Sequence, residues 1–327
     1  MNISCKELEH MQKSGDSIIV IDTREKELIE NYPLKNLKSG STILEKLEPE
    51  NIKDETVLVC QFGILTQQWI EANDLDHVHN LIGGAQAWNE FQKSRRDLSR
   101  YSRQMALTEI GPEGQEKLLS SKVAIVGMGG LGCPAAQYLT AAGVGYLSLI
   151  DGDEVDITNL QRQPLYSSAD VGLKKTDAAT EVLSPLNPDV HIKSVPEFIS
   201  EDNAVRLLAE SDIIIDATDR FTARQILDAH SKQFGIPLVY GGLFQFEGQV
   251  SVFNLNGGPS YADVFPENSE EGGTCADAGV TGMLPGIIGN IQALEAVKIL
   301  LGIEPNLSGT LLIYNGLTHN SEKVSLS

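Results

Sequence analysis

KVAIVGMGGLGCPAAQYLTAA, Lys122 to Ala142, sets a short β-branched run directly before a glycine-rich turn and a helix-like stretch. Strand, glycine turn, helix is the pattern of a nucleotide-binding α/β unit. Gly127, Gly129, Gly130 and Gly132 permit a tight turn and close backbone approach, and N–H groups at the helix start attract phosphate oxygens. The next strand-like run, Tyr146 to Ile150, ends at Asp151, whose carboxylate is expected to accept hydrogen bonds from ribose hydroxyls. This much points to a nucleotide without separating NAD from ATP.

Outward from that stretch, strand-like runs at Asp212 to Ile215 and Leu238 to Tyr240, separated by helical segments, predict a parallel, doubly wound sheet from Arg100 onward. Gly286 to Leu301 places Ile287, Ile291, Leu294, Val297 and Leu301 at helical spacing, so a largely buried helix is expected there. Upstream, Ser17 to Asp22 and Thr56 to Cys60 are short apolar runs alternating with helix-like stretches such as Thr66 to Asn73, which reads as a small separate α/β domain. It closes near Trp88 to Phe91, and the charged stretch Gln92 to Ser99 reads as the linker. The expected domains are therefore 1–94 and 95–327, in keeping with a length of 327 residues, more than one compact core usually holds.

The bulk chemistry narrows the function classes. Asp and Glu number 45 against 25 Lys and Arg, and a formal charge of -20 repels nucleic acid and anionic membrane surfaces. No apolar run is long enough to span a bilayer, and the first residues lack the basic and apolar regions of an export signal. Cys5, Cys60, Cys133 and Cys275 are scattered rather than spaced as a disulfide framework, which suits a reducing compartment and a cytoplasmic location.

The choice between NAD and ATP turns on Gly152 to Gln163, GDEVDITNLQRQ, which gathers Asp153, Asn159, Arg162 and Gln163 beside the phosphate end instead of making an ordinary strand-to-helix connection. With it stand RYSRQ (Arg100 to Gln104), GMGGLG, VGLKK (Val171 to Lys175), DATDR (Asp216 to Arg220), GTCADAGV (Gly273 to Val280) and GMLPGIIG (Gly282 to Gly289). In this ordered set, over Arg100 to Tyr314, the chain resembles the ThiF/MoeB/HesA family of E1-like activating enzymes.

The resemblance implies a Rossmann-like E1-type domain with a mostly parallel sheet that uses ATP and Mg²⁺. It implies adenylylation of the terminal glycine of a ubiquitin-like sulfur carrier of the ThiS or MoaD type ending in Gly-Gly, in support of thiamine, molybdopterin or related sulfur-containing products. Asp219 matches the aspartate that organises Mg²⁺, and Arg162 and Lys175 match phosphate-binding residues of the same subunit. Arg103 matches an arginine that reaches into the neighbouring site of a symmetric homodimer. Such chemistry needs positioning and charge neutralisation more than a base, because the attacking carboxylate is already ionised at pH 7. Many relatives hold a structural zinc with two Cys-x-x-Cys pairs; here Ser260 to Asp263 occupies the place of the first pair, so no zinc is expected. Cys275 lies where relatives carry a cysteine, and its reading stays open between a functional thiol and a loop residue without chemistry.

VIDTRE (Val20 to Glu25), VLVCQFG (Val57 to Gly63) and LIGGAQAW (Leu81 to Trp88) resemble, in order, the signature segments of a rhodanese domain, with Cys60 at the persulfide-carrying position. The loop Gln61 to Leu65 has no Arg or Lys and three apolar residues, Phe62, Ile64 and Leu65, so sulfur transfer and a docking role both stay open. A cysteine desulfurase or another sulfur donor is an expected partner of the first reading. Two competing functions remain, a catalytically inactive E1-like binding subunit and an NAD-dependent oxidoreductase.

Overall fold

The computed structural model describes residues 1–14, 18–37, 39–52, 54–94, 97–265 and 279–326. The chain divides into two compact units, Met1–Leu98 and Ser99–Ser327. The helix Gly84–Ser94 runs through Trp88 and Phe91 into the stretch expected to be linker. Trp88 anchors it, fully buried, with its indole Nε1–H donating to the Lys35 carbonyl at 2.8 Å. The first unit therefore closes a few residues later than the expected boundary.

In the first unit, β1 (Asn2–Ile3), β2 (Ile19–Asp22), β3 (Gly40–Ser41), β4 (Thr56–Val59) and β5 (Val78–Leu81) form a parallel sheet in the order β1-β5-β4-β2-β3. Helices cover both faces of such a sheet, so its central strand β4 is buried throughout, Thr56 included. Successive side chains of β4 alternate accordingly: Val57 and Val59 join a core with Leu8, Leu81 and Trp88, while Leu58 joins Ile70 and Val78.

The second unit holds β6 (Lys122–Val126), β7 (Tyr146–Ile150), β8 (His191–Val195), β9 (Ile213–Asp216), β10 (Leu238–Phe244), β11 (Glu247–Phe253), β12 (Thr310–Asn315) and β13 (Ser321–Ser325), ordered β13-β12-β11-β10-β9-β6-β7-β8. From β8 to β10 all pairs are parallel, and β10 to β13 continue as an antiparallel meander. On central β6, Val123 and Ile125 pack with Leu139 and Ile288 on one face, and Ala124 and Val126 with Leu208 and Leu227 on the other. The mostly parallel doubly wound sheet is thus as expected; the antiparallel edge is an addition.

The expected core helix runs from Met283 to Leu301, but a different stripe of it is buried. Leu284, Ile288, Gly289, Ala293, Ala296 and Leu300 face inward, whereas Ile287 and Leu294 are 37% and 58% exposed. The helix is apolar all round, so periodicity alone does not select its inner face; close packing does, through small residues. A Cβ on Gly289 would lie 2.3 Å from the Leu131 carbonyl oxygen of the neighbouring helix start.

Candidate active site

The chain leaves β6, runs outward through β7 and β8, then returns to the opposite flank of β6 as β9. At such a reversal the loops leaving the two central strands part and open a crevice at their carboxyl ends. Gly127, at the exit of β6, has φ +96°, and a Cβ there would lie 2.5 Å from the Ala217 carbonyl oxygen at the exit of β9. A Cβ on Gly132 would lie 1.9 Å from the Gly127 carbonyl oxygen. These two glycines close the turn. Gly130 packs against Pro285, at 2.9 Å for the same test atom, whereas Gly129 meets only the Gln163 Nε2, at 3.6 Å. Among the described residues the N–H groups of Gly129 and Gly130 meet no acceptor, the condition in which a helix start binds an anion.

Asp151, of which a ribose contact is expected, also holds the backbone together. It is 8% exposed, its Oδ2 accepts the Met128 N–H at 2.7 Å, and its Oδ1 accepts the Asp153 N–H at 2.8 Å. Both oxygens are engaged in tying the end of β7 to the glycine turn. Lys175 begins the helix Lys175–Leu186, buried, with its Nζ 3.0 Å from Asp153 Oδ2 and 4.0 Å from Asp151 Oδ2. The Asp153 side chain is half exposed, so of the two carboxylates it is the one open to a ligand.

Gln163 and Arg162 lie on the turn over the glycine loop. The Gly130 test atom comes within 3.5 Å of the Arg162 carbonyl oxygen, and that of Gly282 within 2.2 Å of the Gln161 carbonyl oxygen. Arg162 Nη1 donates to the Thr158 carbonyl at 3.0 Å, and Asn159 Oδ1 accepts the Asp156 N–H at 3.2 Å. Gln163 is buried, and its Oε1 has no partner among the described residues. A buried acceptor without a donor costs about 1–3 kcal/mol and marks a place where a ligand donor is wanted.

At the exit of β9, Asp219 is exposed and has no ion pair or hydrogen bond among the described residues. The turn that presents it is clamped from below by residues that the sequence reading did not single out. Asp216 is fully buried, and its Oδ1 accepts the Thr218 N–H at 2.9 Å and the Thr218 hydroxyl at 2.7 Å. Arg224 Nη2 donates to the Thr218 carbonyl at 2.8 Å, with Nε 3.5 Å from Asp216 Oδ2. Gln292 Nε2 donates to the Asp216 carbonyl at 2.7 Å. Burial pushes the Asp216 carboxyl up, against the pull of Arg224. An Asp closing an apolar strand and an Arg five positions after Asp219 were the available signals in DATDRFTAR.

A divalent cation suits this arrangement. Asp151 and Asp216 are engaged internally, while Asp219 is open, and Mg²⁺ binds typically through one or two carboxylates plus substrate phosphates. No group of three His, Cys, Asp or Glu side chains gathers among the described residues, so a cation here needs oxygens from the substrate. Arg103, on the short helix Ser102–Met105, is exposed and makes no ion pair among the described residues. Cys133 is buried in the core, and burial pushes its thiol up to about 12, so it is inert. Cys275 lies outside the described residues. Where a first zinc-binding pair would sit, Ser260 and Asp263 form a reciprocal capping box, and the Asp228 carboxylate accepts the N–H groups of Tyr261 and Ala262.

In the first unit, Cys60 follows β4, buried, and its Sγ accepts the Gly63 N–H at 3.1 Å and the Thr66 hydroxyl at 3.2 Å. Burial alone would raise this thiol. The Thr66 hydroxyl and the N–H groups of Thr66, Phe62 and Gly63 more than offset it, and the net direction is down. Phe62, Ile64 and Leu65 are 58%, 60% and 61% exposed. A cation does reach this loop from VIDTRE: Arg24, paired with Asp22 at 2.7 Å, places Nη1 3.4 Å from Gln61 Oε1.

The model of the ThiF family matches residues 101–327. The sulfur carrier protein adenylyltransferase of Thermus thermophilus is 42% identical over 240 residues, spanning 71% of this chain and 89% of that protein. The SAMP-activating enzyme E1 of Haloferax volcanii is 45% identical over 229 residues, 69% of this chain and 84% of that protein. Among solved structures, PaaA superposes with a TM-score of 0.62 at 29% identity, covering 72% of this chain and 85% of its own.

Proposed function

The chain belongs to the ThiF family, and on that basis we propose that it uses ATP to adenylylate the C-terminal carboxylate of a ubiquitin-like sulfur carrier ending in Gly-Gly. The observation that carries the reading is the pairing, across one crevice, of a glycine turn at the exit of β6 with an unpaired Asp219 at the exit of β9. The names of the Thermus and Haloferax relatives agree in substrate class.

A carrier carboxylate oxygen attacks the α-phosphorus of ATP; the bond from that phosphorus to the bridging oxygen breaks, and pyrophosphate leaves with its electron pair. The glycine turn receives phosphate oxygens on its free N–H groups. Arg162 and Lys175 supply positive charge, Lys175 by exchanging part of its hold on Asp153 for phosphate. Gln163 Oε1 gains a donor from the bound nucleotide. Mg²⁺, when bound through Asp219, neutralises charge on the phosphates. No general base is needed, since the attacking group is ionised at neutral pH.

Arg103 serves a neighbouring site in a homodimer. The exposed apolar residues Met283, Ile287 and Leu294 along one helix support a second copy as the cover. In the first unit, a parallel sheet with a cradled, acid-shifted cysteine at a strand end supports a rhodanese-like domain in which Cys60 carries sulfur from a donor protein. A sulfur nucleophile then displaces AMP from the carrier adenylate. Cytoplasmic work suits the free cysteines. Carrier-dependent ATP–pyrophosphate exchange tests the reading; its absence with every Gly-Gly carrier would replace it with the inactive binding subunit.

A further inference from the structure

The sulfur of Cys60 shares a hydrogen-bond donor with a residue that the reading above leaves unused. Thr66, in the first turn of the helix Ile64–Asn73, is fully buried, and its hydroxyl lies 3.2 Å from Cys60 Sγ and 2.6 Å from Asn80 Oδ1. Both neighbours can accept, and a hydroxyl has one proton to give. Asn80 is itself buried on β5, where an amide is costly unless its hydrogen bonds are met. Its Nδ2 donates at 2.9 Å to the Oδ1 of Asn2, its register partner on β1, which holds the amide with its oxygen toward Thr66.

Resting on the reading of Cys60 as the sulfur-handling cysteine, we infer that Asn80 is a positioning residue for it, which competes with the sulfur for the Thr66 proton and so limits how readily Cys60 ionises. In the thiol form the bonds run one way: the Cys60 S–H donates to Thr66 Oγ1, and Thr66 donates to Asn80 Oδ1, the shorter of its two contacts. When the thiol proton leaves to water, the thiolate becomes the stronger acceptor and the Thr66 hydroxyl turns to it. Asn80 Oδ1 then loses its donor in a buried place, and that loss opposes ionisation. The charged groups around the sulfur are paired among themselves. Asp22 and Arg24, at the exit of β2, meet at 2.7 Å, with Arg24 also reaching Gln61, and on β5 His79 meets Glu55 at 2.9 Å. None of the four hydrogen-bonds to Cys60 or Thr66 among the described residues, so the Thr66 hydroxyl is the donor that can be redirected.

The test is the pH profile of Cys60 labelling by iodoacetamide in the full chain, read by peptide mapping, for wild type, Asn80→Leu, Asn80→Asp, Thr66→Val and the double variant Asn80→Leu/Thr66→Val. Leucine is similar in size and accepts nothing, so it frees the Thr66 proton for the sulfur. The penalty thereby removed corresponds to about one to two pH units, and the profile should move down by that much. Aspartate keeps the shape, holds the proton harder and sets a second negative charge near the sulfur, so its profile should move up. The double variant should coincide with Thr66→Val, because the asparagine acts through the hydroxyl. No downward shift in Asn80→Leu, no upward shift in Asn80→Asp, or a shift from Asn80→Leu that persists in the Thr66→Val background overturns the role of Asn80 and leaves the reading of Cys60 intact. Should Asn80→Leu fail to fold, the direction of the Asn80→Asp shift decides alone. A wild-type profile at or above the ordinary thiol range overturns both.

Discussion

The Asp151 carboxylate accepts a 2.7 Å hydrogen bond from the Met128 N–H, so a buried charge at the end of one strand fixes the glycine turn leaving its neighbour. Asp151→Ala strands two N–H groups, those of Met128 and Asp153, and leaves the buried Lys175 with a single carboxylate partner. A cost of about 1–3 kcal/mol per unmet buried group applies. The expected result is a lower midpoint of chemical unfolding together with weaker ATP binding. A variant with wild-type stability would separate the carboxylate from the turn.

Asp219 predicts the opposite combination. Exposed and without a protein partner among the described residues, it contributes little to stability. Asp219→Ala should melt within about 1 °C of wild type, a shift corresponding to a few tenths of a kcal/mol. Its Mg²⁺-dependent component of ATP binding, read by titrating Mg²⁺ at fixed nucleotide, should vanish.

Arg224→Ala is expected to damage both properties. It removes the donor to the Thr218 carbonyl and leaves Asp216 buried and uncompensated, a change of about 3–5 kcal/mol for a broken buried pair. Urea unfolding monitored by circular dichroism would register it, and a loss below about 1 kcal/mol would show the clamp to be dispensable.

The contrast between Asp219 and Arg224 shows where the sequence was legible. Glycines at 127 and 132, the acidic residue closing β7 and the polar run to Gln163 have chemistry that depends on local order along the chain, and the structure brings them to one crevice. Asp216 and Arg224 left only the brief signals in DATDRFTAR, and nothing local marks Gln292, whose partners lie on other elements. The hairpin between β10 and β11 was missed for a similar reason. Its turn places Gln245 at φ +52° in FQFE, with no Asn-Gly or Asp-Gly signal. The inner face of the helix Met283–Leu301 was misread because an all-round apolar helix has little periodicity to read, and small residues decide its packing.

Cys60 should be the reactive thiol of the first unit. Its lowered pKa keeps thiolate present below the ordinary range of about 8.5, and reactivity falls as pH drops through the lowered value. The pH profile of iodoacetamide labelling, followed by peptide mapping, should therefore be displaced to lower pH for Cys60, and Thr66→Val should move it back up. Cys133, pushed up to about 12 by burial, should label only after unfolding. A Cys60 profile at or above the ordinary thiol range would remove the case for sulfur handling there.

Gly132→Ala tests the turn itself. A side chain there would meet the Gly127 carbonyl oxygen at 1.9 Å, backbone that cannot move aside cheaply. Loss of ATP binding with at least about 1–3 kcal/mol of destabilisation is expected, an overpacking cost that a thermal melt would reveal.

The central claim is tested most directly by ATP–pyrophosphate exchange with a Gly-Gly carrier, comparing wild type with Asp219→Ala and the intact carrier with one lacking its final glycine. Exchange with wild type and intact carrier alone is the predicted result. Exchange that persists in Asp219→Ala, or that ignores the carrier terminus, would contradict the account.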